Sequence, residues 1–276
     1  MEVNVFKECL HYQHKNKKGL RVVHFFLIFL RQKIFRKFEV PYIELFVTTK
    51  CNLRCAHCSN LIPYIKDSTN IPFFEFKKEL DALLEKIDCL YRLKLHGGEV
   101  LLHPELCKMI SYADDLKKIK SIRLATNGTI MPSKKVLKTL AESKVVVQIS
   151  DYPDFSDRAK KLVEAFNEYS VNYVLLQDRK WQDMGEIKKR ELSRFDICSI
   201  TRCTSLFRGK IYVCSRAAMM KEIEYHCYDC IDLKVNKKTF RNDLLRLYKG
   251  EYSKACFYCD GNTKFAKEIP AGEQLS

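Results

Sequence analysis

Between residues 42 and 177, short apolar runs alternate with segments whose apolar residues recur at three-and-four spacing. No other feature constrains the fold of this chain as tightly. The runs YIELFVT, RLKLHGG, SIRLAT, VVVQIS and VNYVLLQ are separated by FEFKKELDALLEKI, ELCKMISYADDLKK, SKKVLKTLAES and DRAKKLVEAFNEY. Strands joined by helical crossovers predict an α/β architecture with a parallel sheet, wound as an open barrel or as a doubly wound sheet. Past Trp181 the rhythm stops, and the tail is cysteine-rich, with short strands such as GKIYVC and one helix, FRNDLLRLY. There is no long-period repeat and no low-complexity segment.

In parallel β/α units the loops at the strand C-termini converge on one face and carry the working residues. Here the first run leads into Cys51, Cys55 and Cys58, spaced C-x3-C-x2-C; HGGEVLLHPEL follows the second, TNG the third and SDYP the fourth. All four stretches are therefore expected on one rim. Three cysteines do not pair into disulfides, and a structural zinc site wants four ligands. A fourth coordination position is left for something other than a nearby cysteine.

The chain has 276 residues, 46% of them hydrophobic, which suffices for one large domain and a small one. Thirteen cysteines without a readable signal peptide suggest a reduced, cytoplasmic chain whose thiols serve metal binding or catalysis. The apolar stretch VVHFFLIFL is too short to span a bilayer, which takes about 20 residues. With its basic flank it reads as an amphipathic N-terminal extension, residues 1–40, that packs on the core or touches a membrane surface. The formal charge of +15 suggests an anionic partner: a phosphorylated substrate, nucleic acid or a membrane surface.

C-x3-C-x2-C after the first strand, with Gly-Gly-Glu after the second, resembles the radical S-adenosylmethionine (SAM) superfamily over roughly residues 41 to 195. The resemblance implies a partial (β/α)6 barrel. It also implies a [4Fe–4S] cluster held by Cys51, Cys55 and Cys58, with SAM chelating the fourth iron and yielding a 5′-deoxyadenosyl radical on reduction. By the same resemblance Gly97 and Gly98 would let the backbone approach the methionyl group, and Glu99 would receive the SAM ammonium. Thr126, Asn127 and Gly128 would reach the SAM ribose or carboxylate, unless they form a plain turn. Ser150 and Asp151 would contact ribose or substrate, or cap a helix. His57 stands where the family often places an aromatic residue near adenine. A flavodoxin or ferredoxin is the expected electron donor.

Seven cysteines follow residue 195: Cys198, Cys203, Cys214, Cys227, Cys230, Cys256 and Cys259. The pattern CTSLFRGKIYVC, closed later by CFYC, looks like the SPASM-related Twitch module, an α+β unit spanning 196–276. That likeness implies one auxiliary [4Fe–4S] cluster on Cys203, Cys214, Cys256 and Cys259. The alternative is a zinc ribbon built from CYDC and CFYC, and with it a nucleic-acid-binding protein. Cys89 and Cys107 fall in helical patterns and read as small buried hydrophobes.

The expected function is hydrogen abstraction from a small polar, carbohydrate-like molecule, phosphorylated or nucleotide-linked, leading to dehydrogenation of a secondary alcohol. No specific nucleic acid is expected as a partner. The alternatives are epimerisation, with Cys198, Cys227 or Cys230 as hydrogen donor, and SPASM-type peptide or protein maturation. Arg158, Arg179, Trp181 and Arg216 are substrate-contact candidates.

Overall fold

The computed structural model describes residues 37–177, 180–200, 203–225 and 229–275. Residues 1–36 of the basic extension, with Cys9, and Arg179 and Cys227 lie outside the described residues.

In chain order the barrel portion comprises β1 (Glu39–Val40), β2 (Ile43–Thr48), α1 (Phe73–Lys86), β3 (Cys89–Leu90), β4 (Leu93–Gly97), α2 (Leu106–Asp115), β5 (Ile122–Thr126), α3 (Lys134–Ala141), β6 (Val145–Ser150), α4 (Ser156–Glu168) and β7 (Tyr173–Leu176). There follow β8 (Lys180–Gln182), β9 (Ser205–Phe207), β10 (Lys210–Tyr212), α5 (Ser215–Glu222), β11 (Ile231–Asp232), α6 (Lys237–Tyr248) and β12 (Glu268–Pro270).

The main sheet runs β11-β10-β9-β2-β4-β5-β6-β7, and every pair from β9 to β7 is parallel. This is the expected partial barrel, with one addition. The sixth parallel strand is not part of residues 41–195 but is β9, which pairs Ser205 with Glu44 and Leu206 with Leu45. The expected boundary at 195/196 therefore falls inside one continuous sheet.

Alternation along the strands separates two faces. Leu45, Leu95 and Leu124 lie side by side in register and are wholly buried, as are Phe76, Leu80 and Leu83 of α1. The other face of β2 and β4 carries Glu44, Phe46, Lys94 and His96. Glu44 accepts hydrogen bonds from the Tyr42 hydroxyl (2.6 Å), Lys94 Nζ (2.9 Å) and Ser205 Oγ (3.1 Å), and His96 Nε2 stands 3.5 Å away. Burial opposes its ionisation, but Lys94, His96 and Tyr42 hold the carboxyl at about 2. One charged side chain thus ties the second, fourth and ninth strands together.

Two further contacts dock the tail on α1. Glu79 accepts the backbone N–H of Gly209 at 2.9 Å, and Arg241 of α6 reaches Lys86 O at 3.0 Å and Asp88 at 2.8 Å. Cys89, expected within a helical pattern, lies instead in β3, because the chain turns extended at Ile87 and pairs with β1. Among the described residues no helix is long and apolar enough to cross a membrane.

Candidate active site

Beyond β2 the chain enters the cysteine loop, and beyond β4 the Gly-Gly-Glu segment runs alongside it. Gly98 N donates to Thr48 O at 3.0 Å and Glu99 N to Lys50 O at 2.8 Å. A Cβ at Gly97 would lie 1.9 Å from Thr48 O, and one at Gly98 would lie 2.1 Å from Lys50 O. The glycines are thus required for the two loops to touch, a demand the protein itself makes independently of any methionyl group.

Glu99 is fully buried. Its side chain accepts from Leu101 N (3.0 Å), Thr126 Oγ1 (2.8 Å) and Asn127 N (2.7 Å). Burial pushes the carboxyl up to about 7 despite these donors. A carboxylate has about four lone-pair positions, so three donors leave room for one more. Glu99 is therefore both the cap of the turn that follows it and a side chain with spare acceptor capacity. Thr126 and Asn127 face inward: Asn127 Nδ2 donates to Asn52 Oδ1 at 3.0 Å and points at Cys51 Sγ, 3.8 Å away. Gly128 takes a φ of +74°, the left-handed region its turn requires.

Cys51, Cys55 and Cys58 lie close enough to one another that each of the other two opposes ionisation of Cys51. Burial pushes Cys51 up to about 12 and raises Cys55 and Cys58 as well. Thiols held protonated this way give up their protons to a cationic metal centre. N–H groups already face the sulfurs: Leu53 N donates to Cys51 Sγ and Gln274 Nε2 to Cys55 Sγ, both at 3.4 Å.

The remaining rim residues are bound up with the tail. His57 Nδ1 stands 3.3 Å from Asp183, so its ring faces a carboxylate, not open space above the loop. Ser150 lies within hydrogen-bonding reach of the Tyr152 hydroxyl, and Tyr152 packs edge-on to Trp181 at 5.5 Å. Asp151 accepts from Ser156 Oγ at 2.7 Å, a side-chain bond that caps no backbone N–H; the residue before α4 is Phe155, and no side chain caps the helix. Arg158 is exposed and stacks on Phe155.

A second group of thiols surrounds a small cavity lined by Cys198, Cys214, Cys256, Cys259, Met184 and Arg216. Burial raises Cys256 strongly, and Cys214, Cys259 and Cys198 each push it further. The expected set named Cys203 where the structure gathers Cys198. Cys203 lies two residues before β9, donating its N–H to Ile200 O at 3.1 Å, and its thiol lies near Tyr42. Cys203 does not line the cavity. Cys230 does not line it either; its electrostatic neighbours are Lys210, Lys221, Asp232 and Asp229.

Among the described residues no three His, Cys, Asp or Glu side chains converge tightly enough to hold a single metal ion. A zinc ion with Zn–S near 2.3 Å would draw its sulfurs to roughly 3.8 Å of one another. An iron–sulfur cubane binds each thiolate to a separate iron and holds them further apart. Buried thiols that share a site and face N–H donors are a donor set that an iron–sulfur cluster takes.

Residues 45–154 match the sequence model of the Radical SAM superfamily. The chain carries a radical SAM domain, an enzyme domain that uses a [4Fe–4S] cluster and SAM. It is 33% identical over 121 residues to the antilisterial bacteriocin subtilosin biosynthesis protein AlbA of Bacillus subtilis (strain 168), covering 41% of this chain and 25% of that protein. It is 32% identical over 95 residues to GTP 3′,8-cyclase of Clostridium acetobutylicum, covering 34% of this chain and 29% of that protein. The matched region is thus under a third of each relative's length. The crystal structure of BtrN in complex with AdoMet and 2-DOIA superposes with a TM-score of 0.50 at 17% identity, covering 83% of this chain and 98% of that one. At that coverage the shared fold reaches beyond the matched residues 45–154.

Proposed function

We propose that this chain dehydrogenates a secondary alcohol of a small polar substrate, using Cys51, Cys55 and Cys58 to hold the SAM-binding cluster and Cys198, Cys214, Cys256 and Cys259 to hold an auxiliary one. When bound, the first cluster and SAM supply a 5′-deoxyadenosyl radical that abstracts a hydrogen atom. The protein's part is to fix these groups and to exclude side reactions. Gly97 and Gly98 bring the Gly-Gly-Glu segment against the cysteine loop. Glu99 offers its remaining acceptor to the SAM ammonium, and Asn127 faces Cys51. A reductant is required as partner.

The observation that carries the reading is the gathering of four thiols around one cavity. Turning an alcohol into a ketone removes two electrons, and the abstracted hydrogen atom accounts for one. A second site fully ligated by protein thiolates is suited to accept the other. With Cys198 in that set, Cys203 and Cys230 stand outside the cavity.

Peptide modification is the second reading, favoured by the local match to AlbA, a protein named for bacteriocin biosynthesis. Turnover in deuterated water distinguishes the chemistries. Dehydrogenation gives a product lighter by two hydrogens with no solvent deuterium fixed at carbon. An unchanged formula with one non-exchangeable deuterium would overturn it. Replacing Cys51, Cys55 and Cys58 together with Ala should remove one cluster and end 5′-deoxyadenosine formation.

A further inference from the structure

Arg216 opens α5, two residues after Cys214, and only 5% of its surface is exposed. Its Nη2 donates to Gly185 O at 2.9 Å, while the buried Nε has no hydrogen-bond partner among the described residues. It has no salt-bridge partner among them either. The nearby Arg190 is already engaged with Asp260, 2.7 Å from Nη2. A buried cation without a counter-ion is costly, so such a side chain belongs to a site that brings negative charge when filled.

The groups around the guanidinium identify that charge. It lines the cavity with Cys198, Cys214, Cys256 and Cys259, and it lies within electrostatic reach of Cys58 on the other cysteine loop. Cys214 also caps α5, its Sγ accepting Ala217 N at 3.5 Å, so the positive end of a helix faces the same sulfur. Arg216 thus stands between the two thiol groups, with its buried Nε–H still to be used.

We propose that Arg216 is a positioning residue that bridges the two cysteine sites and raises the reduction potential of the auxiliary cluster. The inference rests on the reading that Cys198, Cys214, Cys256 and Cys259 hold such a cluster. Adding an electron adds a unit of negative charge, and a fixed cation in a low-dielectric setting favours the reduced form. With a cluster bound, Nε would be free to donate a charge-assisted hydrogen bond to sulfur, and that bond would strengthen on reduction.

The test uses the full chain reconstituted anaerobically, with iron and sulfide assays and a redox titration followed by electron paramagnetic resonance. The Cys51/Cys55/Cys58 triple Ala variant isolates the second cluster. In that background Arg216→Gln, which keeps a donor for Gly185 O but removes the charge, should disfavour the reduced form at least tenfold, a fall of 59 mV for one electron. Arg216→Lys should keep the potential nearer the parent value. Full clusters with an unmoved potential in Arg216→Gln would overturn the proposal. If Arg216→Gln loses iron, Arg216→Lys decides. A retained cluster near the parent potential supports the charge role, and a lost cluster reduces Arg216 to packing and overturns it. A triple variant holding no cluster at all would refute the auxiliary-cluster reading instead.

Discussion

Gln274 donates from Nε2 to Sγ of Cys55 at 3.4 Å across 219 residues of sequence. Its Oε1 accepts Arg54 N at 2.8 Å, Ala56 N donates to Glu273 O at 2.8 Å, and Leu275 N donates to Arg54 O at 2.7 Å. The tail thus lies as a strand along the middle cysteine of the loop, closing the ring from the sheet to the tail and back. Hydrogen bonds to sulfur favour the thiolate, and this one also shields it. Gln274→Leu removes these two side-chain bonds and a third, from Nε2 to Gly272 O. A net loss of about 0.5–1.5 kcal/mol corresponds to iron release to a chelator that is roughly two- to tenfold faster. Iron release at the parent rate would show that the tail only covers the loop.

Gly98 has a stricter role. An Ala Cβ would meet Lys50 O at 2.1 Å and Cys51 Cβ at 3.0 Å, both on the neighbouring loop. The loops must part, and Glu99 N would lose Lys50 O. Gly98→Ala should destabilise the chain by about 1–3 kcal/mol, as overpacking does, and reduce iron loading at the first site. Thermal unfolding and iron assays check this. A variant with parent stability and full iron would mean the loop yields freely.

Glu79 gives a pH signature away from either thiol group. Burial raises its carboxyl to about 7 although Gly209 N donates to it. The folded chain therefore holds a proton that the unfolded chain, with a carboxyl near 4.3, has already released. Stability from this residue is full below the unfolded value and is lost as pH rises toward 7. Glu79→Gln keeps an acceptor for Gly209 N and removes the dependence. Between pH 4.5 and 7.5 the variant should gain on the parent by up to about 3 kcal/mol in denaturant midpoints. A constant difference across that range would show that Glu79 does not titrate in the fold.

What could be read from the sequence followed from periodicity. The strands β2, β4, β5, β6 and β7 announce themselves as short apolar runs and the helices between them by the spacing of one apolar face, and the rim motifs follow from where those strands end. Helix α5 was not legible, because Ser215 to Met220 are all buried and leave no polar stripe to set a period. Strand β9 is three residues long, too short for alternation to register, whereas β10 falls inside the expected strand GKIYVC. Tyr152, Asp183 and Gln274 carry no pattern at all; their contacts are made across the fold. Glu99 could be read both ways, as cap or ligand, and its geometry shows why: one carboxylate caps and still has an acceptor to spare.

The choice between Cys198 and Cys203 is the hardest to read from spacing and the simplest to test. Both lie before Cys214 at distances a loop can span, and Cys203 begins the pattern that resembles the family. The fold separates them. Cys198 N donates to Arg194 O at 2.9 Å, and its Sγ accepts Asn262 N at 3.2 Å, which turns the thiol toward the segment bearing Cys256 and Cys259. Cys203 lies two residues before β9, beside Thr204, whose carbonyl accepts Glu44 N at 2.9 Å and whose hydroxyl donates to Tyr42 O at 3.2 Å. Bringing Cys203 into the cavity would pull on those two bonds. Cys198→Ala should therefore lose about half of the iron and sulfide of the two-cluster protein, together with the second paramagnetic signal. Cys203→Ala should retain both clusters, its effect confined to a small change in stability. Full iron in Cys198→Ala with loss in Cys203→Ala would return Cys203 to the ligand set and require β9 to detach on loading.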